Sequence, residues 1–255
     1  MKHQEFEVDE YDISRYNRQM LLTGWGAEGQ LKIKNSSVFI AGAGGLGSPV
    51  AMYLAAAGVG EINICDNDCV ELSNLNRQIL HSDSRIGQLK ALSAEQTLRE
   101  INPSLSFHGF AERLVEDNAE RIIGQPDIVV DCLDNYPTRY LLNSYCVNHN
   151  IPLVHAAIWG LVGQITFINS PETPCLQCII PDAPPKEVFP VLGATPGVIG
   201  ALQAMEALKY LTGIGELLEG RLLLFDGENM SFENIKVNRR PNCPVCSRES
   251  NQPPK

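Results

Sequence analysis

A glycine-rich turn is the clearest chemical signal in the sequence. Residues 42–47 read Gly-Ala-Gly-Gly-Leu-Gly, after an apolar stretch and before an alanine-rich one. This is the G-x-G-x-x-G pattern of a strand, a tight turn and a helix that binds nucleotide phosphates. Gly42, Gly44, Gly45 and Gly47 would let backbone N–H groups approach a phosphate. Asp66 follows the next apolar stretch, where a carboxylate accepts hydrogen bonds from ribose hydroxyls. The sequence therefore predicts an adenine nucleotide, with a turn needed only for packing as the alternative.

The turn alone does not separate ATP from NAD, but the polar loop after Asp66 favours ATP. That loop contains Ser73, Asn74, Leu75, Asn76 and Arg77, and Lys90 follows near the start of a predicted helix. Two cations and an amide could surround a triphosphate, whereas the pyrophosphate of NAD needs less charge. On spacing alone, Arg77 and Lys90 could equally be solvated surface residues.

Asp134 and Asn135 follow a predicted strand over 127–133, at the edge of the sheet where ligands bind in α/β proteins. The Asp134 carboxylate could hold Mg²⁺ against the phosphates. Its alternative role is to cap the helix that follows.

Four of the eight cysteines form two C-x-x-C pairs beside prolines: Cys175, Cys178, Cys243 and Cys246. This spacing predicts a structural zinc site with four protein ligands and no open position for catalysis. Two separate thiol pairs or a redox couple are the alternatives. Neither pair precedes a helix start in the way a thioredoxin-type redox site requires.

The elements that must position these groups alternate along the chain. We expect strands over 37–41, 61–66, 105–111, 127–133 and 153–158, with helices over 45–57, 89–101, 117–123 and 138–148 between them. Alternation of this kind predicts an α/β fold with a doubly wound, mostly parallel sheet. Strand-like segments at 164–169, 222–225 and 232–237 predict an antiparallel C-terminal extension. A long helix over 196–211 lies among them, with Thr195 as its N-cap and Gly213 as its stop.

We interpret the chain as one domain, 1–255. It starts with a helical arm over about 1–34, which contains one or two helices within 13–31. A nucleotide-binding core covers about 35–158, and a carrier-binding and zinc part covers about 159–250. The net charge of −10 and pI near 5.0 argue against a nucleic-acid partner. The glycines and proline within the uncharged stretch 35–60 argue against a membrane span. The acidic start lacks the apolar core of a signal peptide, so we expect a cytoplasmic protein.

Taken together, these residues resemble the MoeB/ThiF/HesA branch of the ubiquitin-activating enzyme superfamily. The resemblance runs from Arg15 to Cys246. It depends on residues 15–19, the glycine turn, Asp66 with residues 73–78, Lys90, residues 131–135, Gly163-Gln164, the helix over 197–209 and the cysteine pairs.

The resemblance implies a homodimer whose sites bind MgATP and adenylate the Gly-Gly carboxylate of a ubiquitin-like sulfur carrier of MoaD or ThiS type. The carrier and its pathway, molybdopterin or thiamin, stay open. On this pattern the catalytic residues are Arg18, Arg77, Lys90 and Asp134, with Arg18 supplied across the dimer. The residues in contact with nucleotide or metal are Gly45, Asp66, Ser73, Asn74, Arg77, Lys90, Asp134 and Asn135.

Two departures from the family matter. The loop over 179–195 has no cysteine, which argues against a thioester on it, and we expect no rhodanese-like extension after Cys246. We therefore expect a separate sulfurtransferase as sulfur donor. The alternative function is an NAD-dependent oxidoreductase with His81 or His155 as acid/base. A scaffold with a decayed site is disfavoured, because Asp66, Arg77, Lys90 and Asp134 are all present.

Overall fold

The computed structural model describes residues 7–185 and 190–247. Within these ranges the helices are α1 (Glu10–Met20), α2 (Gly26–Lys34), α3 (Gly47–Ala57), α4 (Lys90–Ile101), α5 (Glu116–Ile123), α6 (Tyr136–His149), α7 (Leu176–Ile179) and α8 (Ala194–Thr212). The strands are β1 (Ser37–Ala41), β2 (Glu61–Cys65), β3 (Ser106–Phe110), β4 (Ile128–Asp131), β5 (Leu153–Trp159), β6 (Val162–Ile168), β7 (Arg221–Asp226) and β8 (Ser231–Lys236). Short 3₁₀ turns lie at Leu72–Asn74 and Asp83–Arg85.

The strands form one sheet in the order β3-β2-β1-β4-β5-β6-β7-β8. The pairs from β3 to β5 are parallel, and the pairs from β5 to β8 are antiparallel. The predicted mostly parallel sheet with an antiparallel extension is therefore confirmed. The strand order reverses between β1 and β4, so a crevice opens there at the carboxyl ends of the strands, where ligands bind in open α/β sheets.

Helices cover both faces of the sheet because the residues of the central strands alternate between two cores. Val38 and Ile40 of β1 pack in one cluster with residues of α3, α4 and α8. Phe39 and Ala41 pack in the other with residues of α5, α6 and the four paired cysteines. Apolar burial on both faces explains why the parallel strands read as continuous apolar runs.

Two sequence-based boundaries need correction. The segment 13–31 contains two helices, but α1 begins earlier, at Glu10, and α2 ends later, at Lys34. The long helix α8 begins at Ala194 with Gly193 at the N-cap, so Thr195 is not its N-cap. The Thr195 hydroxyl instead donates to the Gly160 carbonyl at 2.9 Å. Gly213 ends the helix in the left-handed conformation, as predicted. Among the described residues, no helix is long and apolar enough to cross a membrane.

The N-terminal arm docks on the core through buried polar side chains. The Asn102 amide donates to the Tyr16 hydroxyl at 2.7 Å and to the Ala55 carbonyl at 2.9 Å. The Gln19 and Gln30 amides both donate to the Ala57 carbonyl. These bonds join α1 and α2 to the C-terminal end of α3, and they replace carbonyl partners that the end of a helix lacks.

We expect Asn102→Ala to lower the free energy of unfolding by about 1 to 3 kcal/mol, because it removes the amide that donates to the buried Tyr16 hydroxyl and to the Ala55 carbonyl. Urea denaturation measures the loss. The exposed Tyr53 provides a mild control, since Tyr53→Phe should change stability by less than about 0.5 kcal/mol. An Asn102→Ala variant as stable as the unmodified protein would show that these bonds do not anchor the arm.

Candidate nucleotide site and cysteine cluster

The glycine turn closes against the neighbouring strand. Gly42 has a φ of +101°, and a Cβ there would lie 2.6 Å from the Cys132 carbonyl oxygen. A Cβ on Gly47 would lie 2.0 Å from the Gly42 carbonyl oxygen. Gly44 differs, because its Cβ would meet only the Gln78 amide nitrogen at 3.7 Å. Packing thus explains the first and last glycines of the motif but leaves room beside Gly44, where a phosphate could approach the backbone.

Two helix N-termini converge on this turn. Helix α3 starts directly after it, and its N-cap Leu46 makes no side-chain capping bond within the described chain. Near the start of α8, Pro196 would lie 3.3 Å from a Cβ on Gly45. The N-terminal end of a helix carries partial positive charge and N–H groups without intrahelical partners, so both ends favour an anion. The sequence predicts α8 but carries no signal that links it to the glycine turn.

Asp66 directly follows β2 and faces the turn. Its carboxylate accepts the Ala43 N–H at 2.8 Å and the Asp68 N–H at 2.9 Å. Burial raises the pKa of Asp66, although both N–H bonds and Lys90 oppose the shift. A carboxylate offers about four lone-pair directions, so these two bonds leave acceptor capacity for ribose hydroxyls.

The polar loop folds back on itself and presents Arg77. The Arg77 guanidinium donates to the Ser73 carbonyl and to the Asn76 side chain, both at 3.0 Å. Asn74 is buried and closes the turn by accepting the Glu71 N–H at 3.3 Å. The Gly45 Cβ position lies 3.7 Å from Arg77 Cγ, so the guanidinium belongs to the same crevice as the glycine turn. Ser73 and Leu75 lie in this loop as well.

Lys90 begins α4 and is almost fully buried, with 6% of its surface exposed. Its ammonium group pairs with the Asp68 carboxylate at 3.1 Å. Asp68 is 62% exposed at its side chain, so the pair lies at the boundary between protein and solvent. Lys90 is therefore not a freely solvated surface charge, and its position next to Asp66 and Asp68 holds a cation at the crevice.

Asp134 lies three residues beyond β4, at the same edge of the sheet as the glycine turn. Asn135, not Asp134, caps α6 by accepting the Thr138 N–H at 3.1 Å. The exposed Asp134 carboxylate makes no hydrogen bond or ion pair to any described residue. Mg²⁺ prefers hard oxygen ligands, and an unpaired carboxylate is such a ligand.

Arg18 lies away from this crevice. It is exposed on α1, whose neighbouring Gln19 bonds to Ala57 at the C-terminal end of α3. The glycine turn is at the other end of α3, about 16 Å away for eleven residues of helix. The structure thus brings together the residues predicted for the nucleotide site with the exception of Arg18.

His81 and His155, the two histidines of the oxidoreductase alternative, are buried and hydrogen-bonded to other residues of the fold. His81 Nε2–H donates to the Ala43 carbonyl at 2.9 Å, and the Ser93 hydroxyl donates to its Nδ1 at 2.9 Å. His155 Nδ1–H donates to the Asp131 carboxylate at 2.7 Å. Burial lowers the pKa of both rings. Both therefore stay neutral, and His81 supports the glycine turn from behind.

The four paired cysteines meet in one cluster. All four sulfurs lie within 4.8 Å of one another, with 3.6 Å between those of Cys175 and Cys243 and 3.4 Å between those of Cys178 and Cys246. Four thiolates around Zn²⁺ at about 2.3 Å would lie about 3.8 Å apart, so the donor set fits zinc. Burial raises the pKa of Cys243, but N–H groups of Cys246 and Val245 donate to its sulfur and lower it to about 7. Such bonds favour the thiolate that a metal needs.

We expect the purified protein to contain one Zn²⁺ per chain, and Cys246→Ser to lose the metal and unfold at a lower temperature. Elemental analysis and thermal denaturation measure both effects. Cys146→Ser is the matched control, since Cys146 is buried in the same core but outside the cluster; it should keep its zinc. Protein prepared without chelators that carries no zinc would contradict the assignment.

Comparisons with known proteins agree with the resemblance. The model of the ThiF family matches residues 16–245. The chain is 50% identical over 243 residues to the "Adenylyltransferase and sulfurtransferase MOCS3" of Drosophila sechellia, covering 92% of this chain and 54% of that protein. The MOCS3 protein of Culex quinquefasciatus is 47% identical over 248 residues, covering 94% and 57%.

The chain spans about half the length of these curated relatives. Among solved structures, that of E. coli MccB with ATP has a TM-score of 0.82 and 26% identity, covering 93% of this chain and 75% of that one. The residues matched by the ThiF model include the glycine turn, the polar loop and three of the four clustered cysteines, Cys175, Cys178 and Cys243. The chain belongs to the ThiF family.

Proposed function

We propose that this protein is an adenylyltransferase that uses MgATP to activate the C-terminal Gly-Gly carboxylate of a ubiquitin-like sulfur carrier protein. One observation carries the proposal. The glycine turn, two helix N-termini, Arg77, Lys90 and Asp134 all lie at the carboxyl edge of the sheet in a ThiF-family chain. The names of the MOCS3 relatives and the MccB structure with ATP support the same chemistry.

The nucleotide would lie across the strand reversal between β1 and β4. The open side of Gly44 suits a phosphate, and Asp66 suits the ribose hydroxyls. Arg77 and Lys90 would stabilise the charge of the triphosphate. Asp134, with Asn135 beside it, would hold Mg²⁺, which supplies charge neutralisation at the phosphates.

The reaction needs no protein nucleophile. A carboxylate oxygen of the carrier attacks the α-phosphorus, the bond to the bridging oxygen breaks, and pyrophosphate leaves with the electron pair. The carboxylate is already ionised at neutral pH, so the site needs no general base. The side chains of this crevice are cations, amides and carboxylates, which position reactants and stabilise charge.

An apolar surface adjoins the crevice and suits the carrier. Since β5 is parallel to β4 and the later pairs are antiparallel, Trp159, Val162, Met230 and Phe232 all lie at the carboxyl edge. Each exposes at least 45% of its surface. Exposed apolar clusters of this kind mark protein interfaces. We propose that the carrier body docks here, with its C-terminal tail directed into the crevice.

The loop over 179–195 would guide that tail. After the undescribed residues 186–189, which include Lys186, the Pro190 carbonyl accepts the Gly160 N–H at 2.8 Å. Gly193 then passes so close to the Asn76 carbonyl that a Cβ would lie 2.2 Å from it. Residues 190–193 thus run over the carboxyl edge, between the β5–β6 turn and the polar loop.

Arg18 supports a homodimer as the working form. Its own crevice lies at the far end of α3, so an Arg18 that acts on ATP would have to come from a second copy of the chain. A sulfurtransferase would then supply sulfur to the acyl-adenylate, in agreement with the names of the MOCS3 relatives. We further propose one adenylation domain over the whole chain and a cytoplasmic location.

Asp134→Ala and Arg77→Ala should each lower carrier-dependent ATP–pyrophosphate exchange on the order of 100-fold or more, because each removes a charge contact at the triphosphate. The exchange assay uses a panel of carriers that end in Gly-Gly. Glu100→Ala and Arg99→Ala are matched controls, since both residues lie at the C-terminal end of α4 and thus at the opposite edge of the sheet. Near-normal exchange in the Asp134 or Arg77 variant would refute the site.

The carrier should remain a noncovalently held acyl-adenylate until the sulfur donor attacks. A thioester needs an accessible thiolate, and the loop over 179–195 has no cysteine. Burial raises the pKa of Cys132 and opposes its ionisation. Enzyme, carrier and MgATP are quenched in acid without reductant, and intact masses are recorded. An enzyme–carrier adduct that thiol removes would contradict this expectation, whereas adenylated carrier would agree with it.

A further inference from the structure

A buried ionic cluster lies directly behind the loop that carries Asp134, and the proposed reaction does not use it. Asp131 ends β4 and Arg139 lies in the second turn of α6, with 3.6 Å between the Arg139 Nε and the Asp131 carboxylate. The Arg139 side chain exposes 5% of its surface, and the Asp131 side chain exposes 0%. His155, fully buried, donates to the same carboxylate. A buried ion pair contributes little net stability on average. The question is therefore which neighbouring groups this pair holds in position.

The cluster clamps the peptide groups on both sides of Leu133. The Asp131 carboxylate accepts the Leu133 N–H at 3.0 Å. The Arg139 guanidinium donates to the Leu133 carbonyl and, at 3.0 Å, to the Ala156 carbonyl of β5. The Leu133 carbonyl belongs to the peptide bond that leads into Asp134. The orientation of that peptide group is therefore set by a guanidinium that also donates to β5 and forms an ion pair with Asp131 at the end of β4.

The Asp134 carboxylate, in contrast, lacks any hydrogen bond or ion pair to the described residues. Only its backbone can fix the direction in which this carboxylate points. A magnesium ligand must be held in place, because Mg²⁺ demands near-ideal octahedral geometry. Groups that orient a metal ligand are worth about 10- to 100-fold in metal affinity or activity.

We propose that Arg139 is a positioning residue for Mg²⁺ binding, which acts by holding the Leu133–Asp134 peptide group through its hydrogen bonds to the Leu133 and Ala156 carbonyls and its ion pair with Asp131. This proposal rests on the proposed function, in which Asp134 holds the magnesium of MgATP. Arg139 touches neither nucleotide nor carrier. Lysine should not replace it, since a point-charge ammonium lacks the planar guanidinium that donates to two carbonyls from one nitrogen while its Nε stays beside the Asp131 carboxylate.

The test is a double-variant cycle on ATP affinity, measured by calorimetry with Mg²⁺ and again with EDTA. We expect Arg139→Lys to weaken binding about 10-fold with Mg²⁺ and less than about 2-fold with EDTA. Asp134→Asn should lose the Mg²⁺-dependent part of the affinity. In the Asp134→Asn background, Arg139→Lys should then add less than about 2-fold, because the two residues act through one metal.

Tyr145→Phe is the matched control. Tyr145 lies on α6 too, but its hydroxyl donates to the Gly124 carbonyl, so its loss should lower stability without changing the Mg²⁺ dependence. If Arg139→Lys fails to fold, the charge-neutral pair Asp131→Asn with Arg139→Gln takes its place in the cycle, with the same expected pattern.

The outcomes separate this proposal from the proposed function. Equal losses with Mg²⁺ and EDTA, or additive losses in the double variant, would overturn the positioning role while ATP binding by the unmodified protein persists. An unmodified protein that binds ATP equally well with and without Mg²⁺ would overturn the magnesium role of Asp134 and the positioning role together. No ATP binding at all would overturn the proposed function itself.

Discussion

The contact between β1 and β4 at their carboxyl ends is the constraint on which the rest of the structure depends. The chain leaves β1 through Gly42, whose φ of +101° turns the backbone against the Cys132 carbonyl. A side chain at Gly42 would force the two strands apart at the point where the sheet order reverses. Because they stay together, the glycine turn after β1 and the acidic loop after β4 face each other across one crevice.

Beside that crevice the sheet changes from parallel to antiparallel pairing. On one side, parallel strands end in loops with charged and amide side chains, including Asp66 and Arg77. On the other side, antiparallel strands bring exposed apolar residues such as Trp159 and Phe232 to the same edge. A parallel sheet is covered by helices on both faces, whereas an antiparallel extension can leave one face open. In the proposed function, the open part is where a macromolecular partner would reach the nucleotide.

Much of this arrangement could be predicted from the sequence because its signals are local. The G-x-G-x-x-G turn, the alternation of strands and helices and the two C-x-x-C pairs each depend on short spacings, and the structure has the expected elements within a few residues. The start of α8 was misplaced because Thr195 has the composition of an N-cap, whereas its hydroxyl bonds to Gly160, far away in the sequence. Local propensity does not record such a contact.

The buried polar groups could not be predicted for the same reason. The sequence allows His81 as an acid/base, but only the fold shows that its two nitrogens bond to Ala43 and Ser93. Arg139 carries no signal at all in the sequence, since a lone arginine on a helix is usually solvated. Its role depends on β4, β5 and α6 meeting in three dimensions.

Helix α6 also connects the loop of Asp134 to the cysteine cluster. Near its start, Arg139 bonds to the loop of Asp134. Further along, the Tyr140 hydroxyl donates to the Ile180 carbonyl, and the Asn143 side chain accepts the Leu176 N–H at 2.9 Å, beside the first cysteine pair. A metal at the cysteine cluster would therefore stabilise the segment against which α6 rests. Because α6 is one continuous helix, anything that loosens the cluster also removes support from the helix that holds the Asp134 loop.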